Sequence, residues 1–412
     1  MKPAKLPFHY GWLIVLSGAL TLFACLGMAR FAFGLLLPAM RQALELGYDQ
    51  MGLISTSNFI GYLLAVALSP LLIRRWRPRL VTCAGLLLNA LCLLLISRAD
   101  HLSALILFYG VVGAGSGFAN IPSMVLVSHW FRRNKRGQAA GLMIAGNGLA
   151  ILAAGQLIPW VNAAWGWRES WIILAIISLL AMIFALLVLR NDPAEVGLLP
   201  HGRYEALEES TFVGSTNGKL LVHLGVIYLI FGLTYMIYGT FIVTTMVEDF
   251  GFTEAKAGQL WSLVGIFGIF SGVVFGSVSD RIGRRNGMVL VYAMFSCAYL
   301  LAGLGAILGS WALWLSVFFY GSVLFAVPTI MAAAVAEYLG MERAASGFAT
   351  LTLFFAVGQI IGPGSAGLLA ELSGSFIPSY LLSAALTTIA MALTLRLKNR
   401  PPNNHQTARE IP

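Results

Sequence analysis

The sequence predicts an all-α membrane protein whose twelve transmembrane helices form two pseudo-symmetric bundles of six. Three observations predict this fold: the composition, the number of apolar stretches and an internal repeat. Of the 412 residues, 58% are hydrophobic and only 10% are charged, whereas soluble domains carry about 25% charged residues. A chain with so few charges cannot cover itself with a polar surface, so the composition excludes the soluble classes.

The apolar stretches set the number of helices, because about 20 apolar residues are needed to cross the hydrocarbon core. Backbone groups in lipid need partners within their own segment, so each stretch is predicted to be a helix. Twelve stretches qualify: 11–40, 51–73, 80–97, 103–128, 137–162, 169–189, 220–247, 257–279, 286–308, 310–336, 344–370 and 375–396. The first is too long for the core of a signal peptide, and we expect it to be retained.

One long polar segment, 190–219, interrupts this series after the sixth stretch. It divides the chain into an N-terminal bundle (1–190), a linker (191–218), a C-terminal bundle (219–397) and a tail (398–412).

The two halves repeat each other at a constant spacing of 206 residues. Five pairs share it: Gly52 and Gly258, Arg79 and Arg285, Gly115 and Gly321, Pro122 and Pro328, and Gly141 and Gly347. Glycines also recur in membrane helices simply for close packing, but that does not explain a shared spacing. We therefore predict two parallel six-helix halves related by an axis along the membrane normal.

The basic residues predict the orientation. Of the 26 lysines and arginines, 21 fall on the side of the N-terminus, four on the other side, and Arg30 lies within a span. Basic loops remain cytoplasmic, so both termini are expected in the cytoplasm, and the net charge of +9 does not indicate nucleic acid. The four cysteines lie in apolar stretches without metal-ligand spacing, and we expect no metal and no cofactor.

A short loop carries a family resemblance. The segment "GSVSDRIGRR" (276–285) resembles the signature loop of the major facilitator superfamily, which implies a transporter, not an enzyme, that works by rocking one bundle against the other. The resemblance assigns a gating role to five residues of the loop: Gly276, Asp280, Arg281, Arg284 and Arg285.

Within this loop, we expect Gly276 to let helices approach and Asp280 to pair with Arg281 or to cap a helix end. Such a latch would favour the outward-facing state. The corresponding loop of the first half, "SPLLIRRWRPR" (69–79), keeps the arginines but lacks the aspartate, so a first-half latch stays in doubt.

Segments of the sequence resemble two different branches of the superfamily, and both assignments stay open. The segments "HYGW" (9–12), "HWFRRNKRGQAAG" (129–141) and "NDPAEVGLLPHG" (191–202) resemble the monocarboxylate and oxalate/formate transporter branch. "GMARFAFGLLLPAM" (27–40) and "GLTYMIYGTF" (232–241) resemble the YbfB/YjiJ-type branch.

Arg30 is the candidate anchor for a substrate. All 17 acidic residues fall in loops, in tails or close to helix ends, so no carboxylate within a span can neutralise it. An arginine near the bilayer centre costs at least about 2.5–3.5 kcal/mol, and such residues usually face an aqueous cavity. The alternative is a structural role, in which Arg30 ties the first helix to exposed carbonyls or to a phenol.

The surroundings of Arg30 favour a cavity. Gly27 and Gly34 share its helix face and are expected to leave open space there. Gly232, Tyr235 and Gly239 repeat the pattern in the seventh span, which places Tyr235 opposite Arg30.

The resemblance further implies that spans 1, 4, 7 and 10 line the cavity. The predicted substrate-binding residues are Arg30, Tyr109, Asn120, Tyr235, Tyr238 and Tyr320. One guanidinium with several phenols and an amide suits a small carboxylate-like anion. For each tyrosine and for Asn120, packing between helices is the alternative interpretation.

We therefore expect a transporter of a small, monocarboxylate-like organic anion. No acidic residue lies within a span to relay protons. Three modes of coupling therefore stay open: proton symport, in which the proton is a partner and travels with the substrate as the neutral acid; anion exchange; or coupling through a group that the sequence does not identify. The alternatives are an exporter of drugs or other hydrophobic compounds and a non-transporting sensor or enzyme. We expect a monomer that contacts lipid and a small molecule but no nucleic acid, and the absence of a targeting segment favours a bacterial inner membrane.

Overall fold

The computed structural model describes residues 8–203 and 218–398, and within these ranges the chain forms twelve long helices. The continuous helix Tyr48–Ile96 bends at Arg77 and supplies two of them, α2 (48–76) and α3 (78–96). The other helices are α1 (Gly11–Leu44), α4 (Leu102–Trp130), α5 (Arg133–Trp165), α6 (Trp167–Val188), α7 (Gly218–Glu248), α8 (Glu254–Ile282), α9 (Arg284–Gly303), α10 (Trp311–Leu339), α11 (Met341–Ser373) and α12 (Ile377–Leu395). Short helical turns lie at Pro193–Val196 and Gly305–Leu308.

In the described ranges, eleven continuous helical segments are long and apolar enough to cross a membrane, and Tyr48–Ile96 counts among them once. Because the helix bends at Arg77, its two arms count as two membrane spans, which brings the number of spans to twelve. Arg77 there has a φ of 63° and a ψ of 155°, and the ring of Pro78 disfavours the helical conformation of the residue before it. The prediction of an all-α, multi-pass membrane fold is confirmed.

The helices form two halves, α1–α6 and α7–α12, with α6 ending at Val188 and α7 beginning at Gly218. The first part of the linker packs on the N-terminal half. The backbone N–H of His201 donates to the carbonyl of Trp130 (2.8 Å), and Arg132 N–H donates to the carbonyl of His201 (2.9 Å). The predicted linker beyond Arg203 and the predicted tail beyond Lys398 lie outside the described residues.

Repeat-related glycines occupy equivalent places between the halves. A Cβ built on Gly52 in α2 would lie 2.6 Å from the carbonyl oxygen of Pro363 in α11, and one built on Gly258 in α8 would lie 2.3 Å from the carbonyl oxygen of Gly155 in α5. Both positions need a glycine because two backbones approach closely there. The pairing of α2 with α11 and of α8 with α5 is the relation that the repeat implies.

The halves are joined at one end of the bundle. We call the end with the basic loops 74–79 and 132–136 the basic end, and the other the opposite end. Hydrogen bonds between the halves toward the opposite end include those of Arg41 to Glu248 (2.9 Å), Asn162 to Glu254 (3.2 Å) and Gln156 to Ser262 (2.9 Å). Toward the basic end, a Cβ added to Gly137 or Gly141 in α5 would meet no atom within 4 Å. The contacts between the halves close the bundle at the opposite end.

Candidate functional site

Arg30 lies in a π-helical segment of α1, Phe23–Phe31. A π-helical turn is wider than an α-helical turn, and such segments recur at functional sites. Small residues let the segment pack closely, since a Cβ built on Gly27 would lie only 2.0 Å from the Cβ of Ala150 in α5. From this segment the Arg30 side chain reaches residues of α2 and α7.

The glycines near Arg30 do not leave open space around it, and this part of the prediction is wrong. The space beside Gly27 is filled by Ala150, and a Cβ on Gly34 would lie 2.8 Å from the carbonyl oxygen of Thr240 in α7. Gly232 likewise approaches the backbone of α11. All three glycines bring helices together, which is the usual use of small residues inside membranes.

The guanidinium group of Arg30 is held in place by an amide. Its Nε donates to Oδ1 of Asn58 at 3.3 Å, and Nδ2 of Asn58 donates to the carbonyl of Tyr109 at 3.0 Å. The amide is therefore fixed between α1 and α4. Because both of its ends are engaged, the amide orients Arg30, but an amide is neutral and does not balance the guanidinium charge.

Two aromatic rings of α2 cover the faces of the same guanidinium. Its Cζ lies 4.5 Å from the ring centroid of Tyr62 and 4.9 Å from that of Phe59. A cation over an aromatic face is stabilised by about 0.5–2 kcal/mol, and the upper end of this range applies when water is excluded. Arg30 is only 8% exposed, so the rings stabilise the charge without pairing it.

No carboxylate pairs with Arg30 in the part of the chain that the structure describes. The ion pairs found there lie near the ends of the bundle, as Arg41 with Glu248 and Arg168 with Asp100 do. The Nη2 atom of Arg30 is enclosed and has no hydrogen-bond partner among the described residues. The guanidinium therefore retains both its charge and unused donor capacity.

Tyr235 comes close to Arg30 from the C-terminal half, as predicted from the arrangement of α1 and α7. Its hydroxyl lies within interaction range of the guanidinium and accepts a hydrogen bond from Nε2 of Gln359 in α11. Arg30 and Tyr235 thus bring the two halves together at one point.

Asn120 takes part in the same group of residues, but indirectly. Its Nδ2 donates to the hydroxyl of Tyr62 at 2.8 Å, and the ring of Tyr62 lies on Arg30. The Oδ1 atom of Asn120 is buried and has no partner among the described residues. Asn120 therefore contacts Tyr62, the neighbour of the guanidinium, and not the guanidinium itself.

The other three predicted tyrosines make no hydrogen bond to the guanidinium in the described residues, and of these three only Tyr109 lies within electrostatic range of it. Tyr109 is buried with its hydroxyl 3.3 Å from the carbonyl of Ala29, where it holds the backbone of α1. Tyr320 donates to the carbonyl of Tyr235 at 2.6 Å, and the hydroxyl of Tyr238 pairs with that of Ser316 at 2.8 Å. Tyr238 and Tyr320 stack on each other inside the C-terminal half, with ring centroids 4.1 Å apart.

Four residues near Arg30 were not predicted from the sequence: Asn58, Phe59, Tyr62 and Gln359. A signal existed for two of them, because Asn58 and Tyr62 are four residues apart and share one face of α2. Gln359 gave no such signal, since a single amide in an apolar span usually bridges helices.

The loop that carries the family resemblance forms its contacts within the C-terminal half. Asp280 pairs with Arg284, not with Arg281, and Nε of Arg284 also donates to Oε1 of Glu337 at 2.8 Å. A spacing of four residues on one helix face favours the pair with Arg284 over an adjacent residue.

The remaining loop residues make weaker contacts. Arg281 is exposed, and Arg285 donates to the side chain of Asn286 at 3.4 Å. A Cβ on Gly276 would meet only Thr329, at 3.3 Å.

A second polar surface lies at the opposite end, in a pocket of about 830 Å³ lined in part by Arg41, Tyr48 and Glu248. Arg41 lies 4.1 Å over the ring of Tyr48, and the Tyr48 hydroxyl donates to Glu248 at 2.8 Å. Burial raises the pKa of the adjacent Asp249, and the charge of Glu248 adds to the rise. The pocket lies on the surface that closes this end, apart from Arg30.

The chain as a whole is similar to known transporters. A family model described as "Uncharacterised MFS-type transporter YbfB" matches residues 22–395. The chain is 24% identical to monocarboxylate transporter 13 of Rattus norvegicus, over 94% of this chain and 89% of that protein. It is 22% identical to the hexuronate transporter of Bacillus subtilis (strain 168), over 89% of this chain and 90% of that protein. It is 24% identical to a quinolone resistance transporter of Acinetobacter baumannii, over 85% of this chain and 85% of that protein.

Among solved structures, the nucleoside transporter NupG superposes with a TM-score of 0.74, covering 95% of this chain and all of that one. At 15% identity this likeness supports the fold alone.

Proposed function

This chain belongs to the major facilitator superfamily of membrane transporters, in the YbfB-type group, and on that premise we propose that it carries a small organic anion. The anion is monocarboxylate-like, the membrane is the cytoplasmic one, and both termini face the cytoplasm. The observation that supports the proposal best is the Arg30 guanidinium, which is enclosed between the two halves and pairs with no carboxylate of the described residues.

The charge balance of the site favours an anion as cargo. A buried guanidinium without a counter-charge is costly, and a carboxylate from the cargo would offset that cost. The planar fork of donors matches a carboxylate and can bind it with two hydrogen bonds. One guanidinium balances one negative charge, so a monoanion fits better than a dianion.

Alternating access follows from the way in which the halves meet. With the termini in the cytoplasm, the opposite end faces outward, and its contacts hold the transporter in an inward-facing state. Outward opening must break the bond of Arg41 to Glu248 and part α2 from α11. The loop residues Gly276, Asp280, Arg281, Arg284 and Arg285 then form the cytoplasmic contact of the outward-facing state.

Energy coupling does not use a carboxylate within the membrane spans, because the sequence places none there. Two modes meet this condition. In symport, the proton travels with the cargo as the neutral acid; in exchange, one anion leaves as another enters.

The proposal is tested by uptake of labelled acetate, L-lactate, pyruvate, benzoate and D-glucuronate into proteoliposomes. We expect Arg30→Gln to abolish uptake, because it removes the charge, and Arg30→Lys to remain well below wild type, because it lacks the fork. Arg168→Gln is the matched control, since it removes a guanidinium that pairs with Asp100 at the opposite end. Equal uptake by wild type and Arg30→Gln would contradict the proposal.

The second candidate is export of hydrophobic compounds, and the aromatic rings beside the site favour it. The ring of Tyr235 lies 4.8 Å from that of Phe231 and 5.6 Å from that of Phe355, both nearly parallel to it. An exporter of this kind would give drug resistance that survives Arg30→Gln, whereas an anion carrier would not.

A further inference from the structure

Two tyrosine hydroxyls near Arg30 each receive a hydrogen bond from a side-chain amide. Asn120 donates to Tyr62 in the N-terminal half, and Gln359 donates to Tyr235 in the C-terminal half. The two pairs are not repeat-related, because neither Asn120 nor Gln359 has an amide 206 residues away. A hydrogen bond from a side-chain amide to a tyrosine hydroxyl thus occurs twice around the one guanidinium, once in each half.

These bonds decide what each phenol can still do. A phenol oxygen that accepts an amide N–H keeps its own O–H as a donor. Among the described residues, neither Tyr62 nor Tyr235 donates that hydrogen to an acceptor of the chain. Both hydroxyl hydrogens are therefore available near the guanidinium.

The site thus offers donors from both halves. Arg30 and the Tyr62 hydroxyl belong to the first half, and the Tyr235 hydroxyl belongs to the second. A site made of donors favours a group that only accepts hydrogen bonds, and a carboxylate is such a group.

We propose that Gln359 is a positioning residue: its amide holds the Tyr235 hydroxyl so that the phenol hydrogen points to the cargo carboxylate. Asn120 does the same for Tyr62. This inference rests on the proposed function, because it assigns the cargo as a carboxylate anchored by Arg30. It adds that specificity for the carboxylate depends on two amides that do not contact the cargo.

The test is the dissociation constant of the best-bound acid among acetate, L-lactate, pyruvate, benzoate and D-glucuronate, measured by calorimetry on the purified full-length protein. Losing one hydrogen bond to a charged group weakens binding by about tenfold, and this is the expected effect of Tyr235→Phe. Gln359→Leu is expected to weaken binding by about fivefold, because the phenol remains but is no longer oriented. The double variant should bind no more weakly than Tyr235→Phe, because Gln359 acts through the phenol.

Gln359→Glu separates positioning from a general structural role. An ionised glutamate only accepts hydrogen bonds, so it takes the phenol hydrogen away from the cargo and adds a repelling charge. It is therefore expected to bind the acid more weakly than Gln359→Leu does. Tyr380→Phe is the matched control: it removes a buried phenol of the same half that is bonded to Thr245 and should leave the dissociation constant unchanged.

The outcomes distinguish this inference from the proposed function. If Arg30→Gln abolishes binding but the Gln359 variants bind like wild type, the positioning role is overturned and the anion carrier stands. Independent, multiplying effects of Tyr235→Phe and Gln359→Leu also overturn it. If Arg30→Gln binds the acid as wild type does, the proposed function itself fails.

Discussion

Replacing Glu248 by glutamine should loosen the closed end of the bundle. Glu248 is the one carboxylate of α7 that binds two groups of the other half: Nη1 of Arg41 at 2.9 Å and the hydroxyl of Tyr48 at 2.8 Å. Glu248→Gln keeps the shape of the side chain but removes its charge. The bond to Arg41 loses its ionic character, and the bond from Tyr48 becomes a neutral one.

The size of the effect follows from exposure. The Arg41 and Glu248 side chains are 33% and 22% exposed, and an ion pair at this exposure contributes about 1 kcal/mol at most. A hydrogen bond to a charged acceptor contributes about 1.5–3 kcal/mol, compared with about 1 kcal/mol for a neutral one. The two losses together come to about 1–2 kcal/mol, which shifts the ratio of the two states about 5- to 30-fold.

The shift can be read from the labelling rate of a cysteine placed in the closed path. Thr240 is 3% exposed, and its backbone contacts Gly34 across the two halves. In a background without the native cysteines, Thr240→Cys should react with an impermeant maleimide from outside about 5- to 30-fold faster when Glu248→Gln is added.

Asp100→Asn serves as the control, because Asp100 pairs with Arg168 inside the N-terminal half at the same end. It should leave the labelling rate unchanged. The reasoning is refuted if Glu248→Gln does not raise the rate, or if Asp100→Asn raises it equally.

Three further predictions concern packing, the buried amide and the linker. Gly27→Val should prevent assembly of the N-terminal half, because even its Cβ would lie 2.0 Å from Ala150; a monodisperse, correctly inserted variant in size-exclusion chromatography would contradict this. Asn58→Leu removes the acceptor of Arg30 Nε and should lower the free energy of unfolding by about 1–3 kcal/mol, measured by denaturation in detergent; unchanged stability would contradict it. Burial and neighbouring basic side chains lower the pKa of His201 below its ordinary value of 6.5. The free linker therefore binds a proton more readily than the packed linker does, and packing should weaken as the pH falls below about 6.5. Hydrogen–deuterium exchange of the peptide 189–203, corrected for intrinsic rates, should rise at pH 5.5, and His201→Gln should remove that rise; an equal rise in the variant would count against the assignment.

Much of the fold could be predicted from the sequence, because lipid imposes simple rules. Each apolar stretch had to be a helix, and the stretches 51–73 and 80–97 correspond to the two arms of Tyr48–Ile96. Arg30 was found for the same reason, since a guanidinium in an apolar run conflicts with its surroundings.

The details of the site depend on contacts between helices, which local sequence does not encode. Gly27 and Gly34 resemble the walls of a cavity when only α1 is considered, but they are filled by α5 and α7. The π-helical turn around Arg30 also changes which residues share its face, so a spacing of three or four no longer applies. Tyr238 and Tyr320 could not be distinguished from Tyr235 in the sequence, because all three lie in apolar spans.

The central claim is that Arg30 recognises the negative charge of the cargo, and the most direct measurement compares an acid with its uncharged amide. We would measure dissociation constants of L-lactate and lactamide, and of benzoate and benzamide, for the purified wild type and Arg30→Gln. Wild type should bind at least one acid about tenfold or more tightly than its amide, and Arg30→Gln should lose this preference. Equal binding of acid and amide by the wild type, or a preference that persists in Arg30→Gln, would contradict the claim.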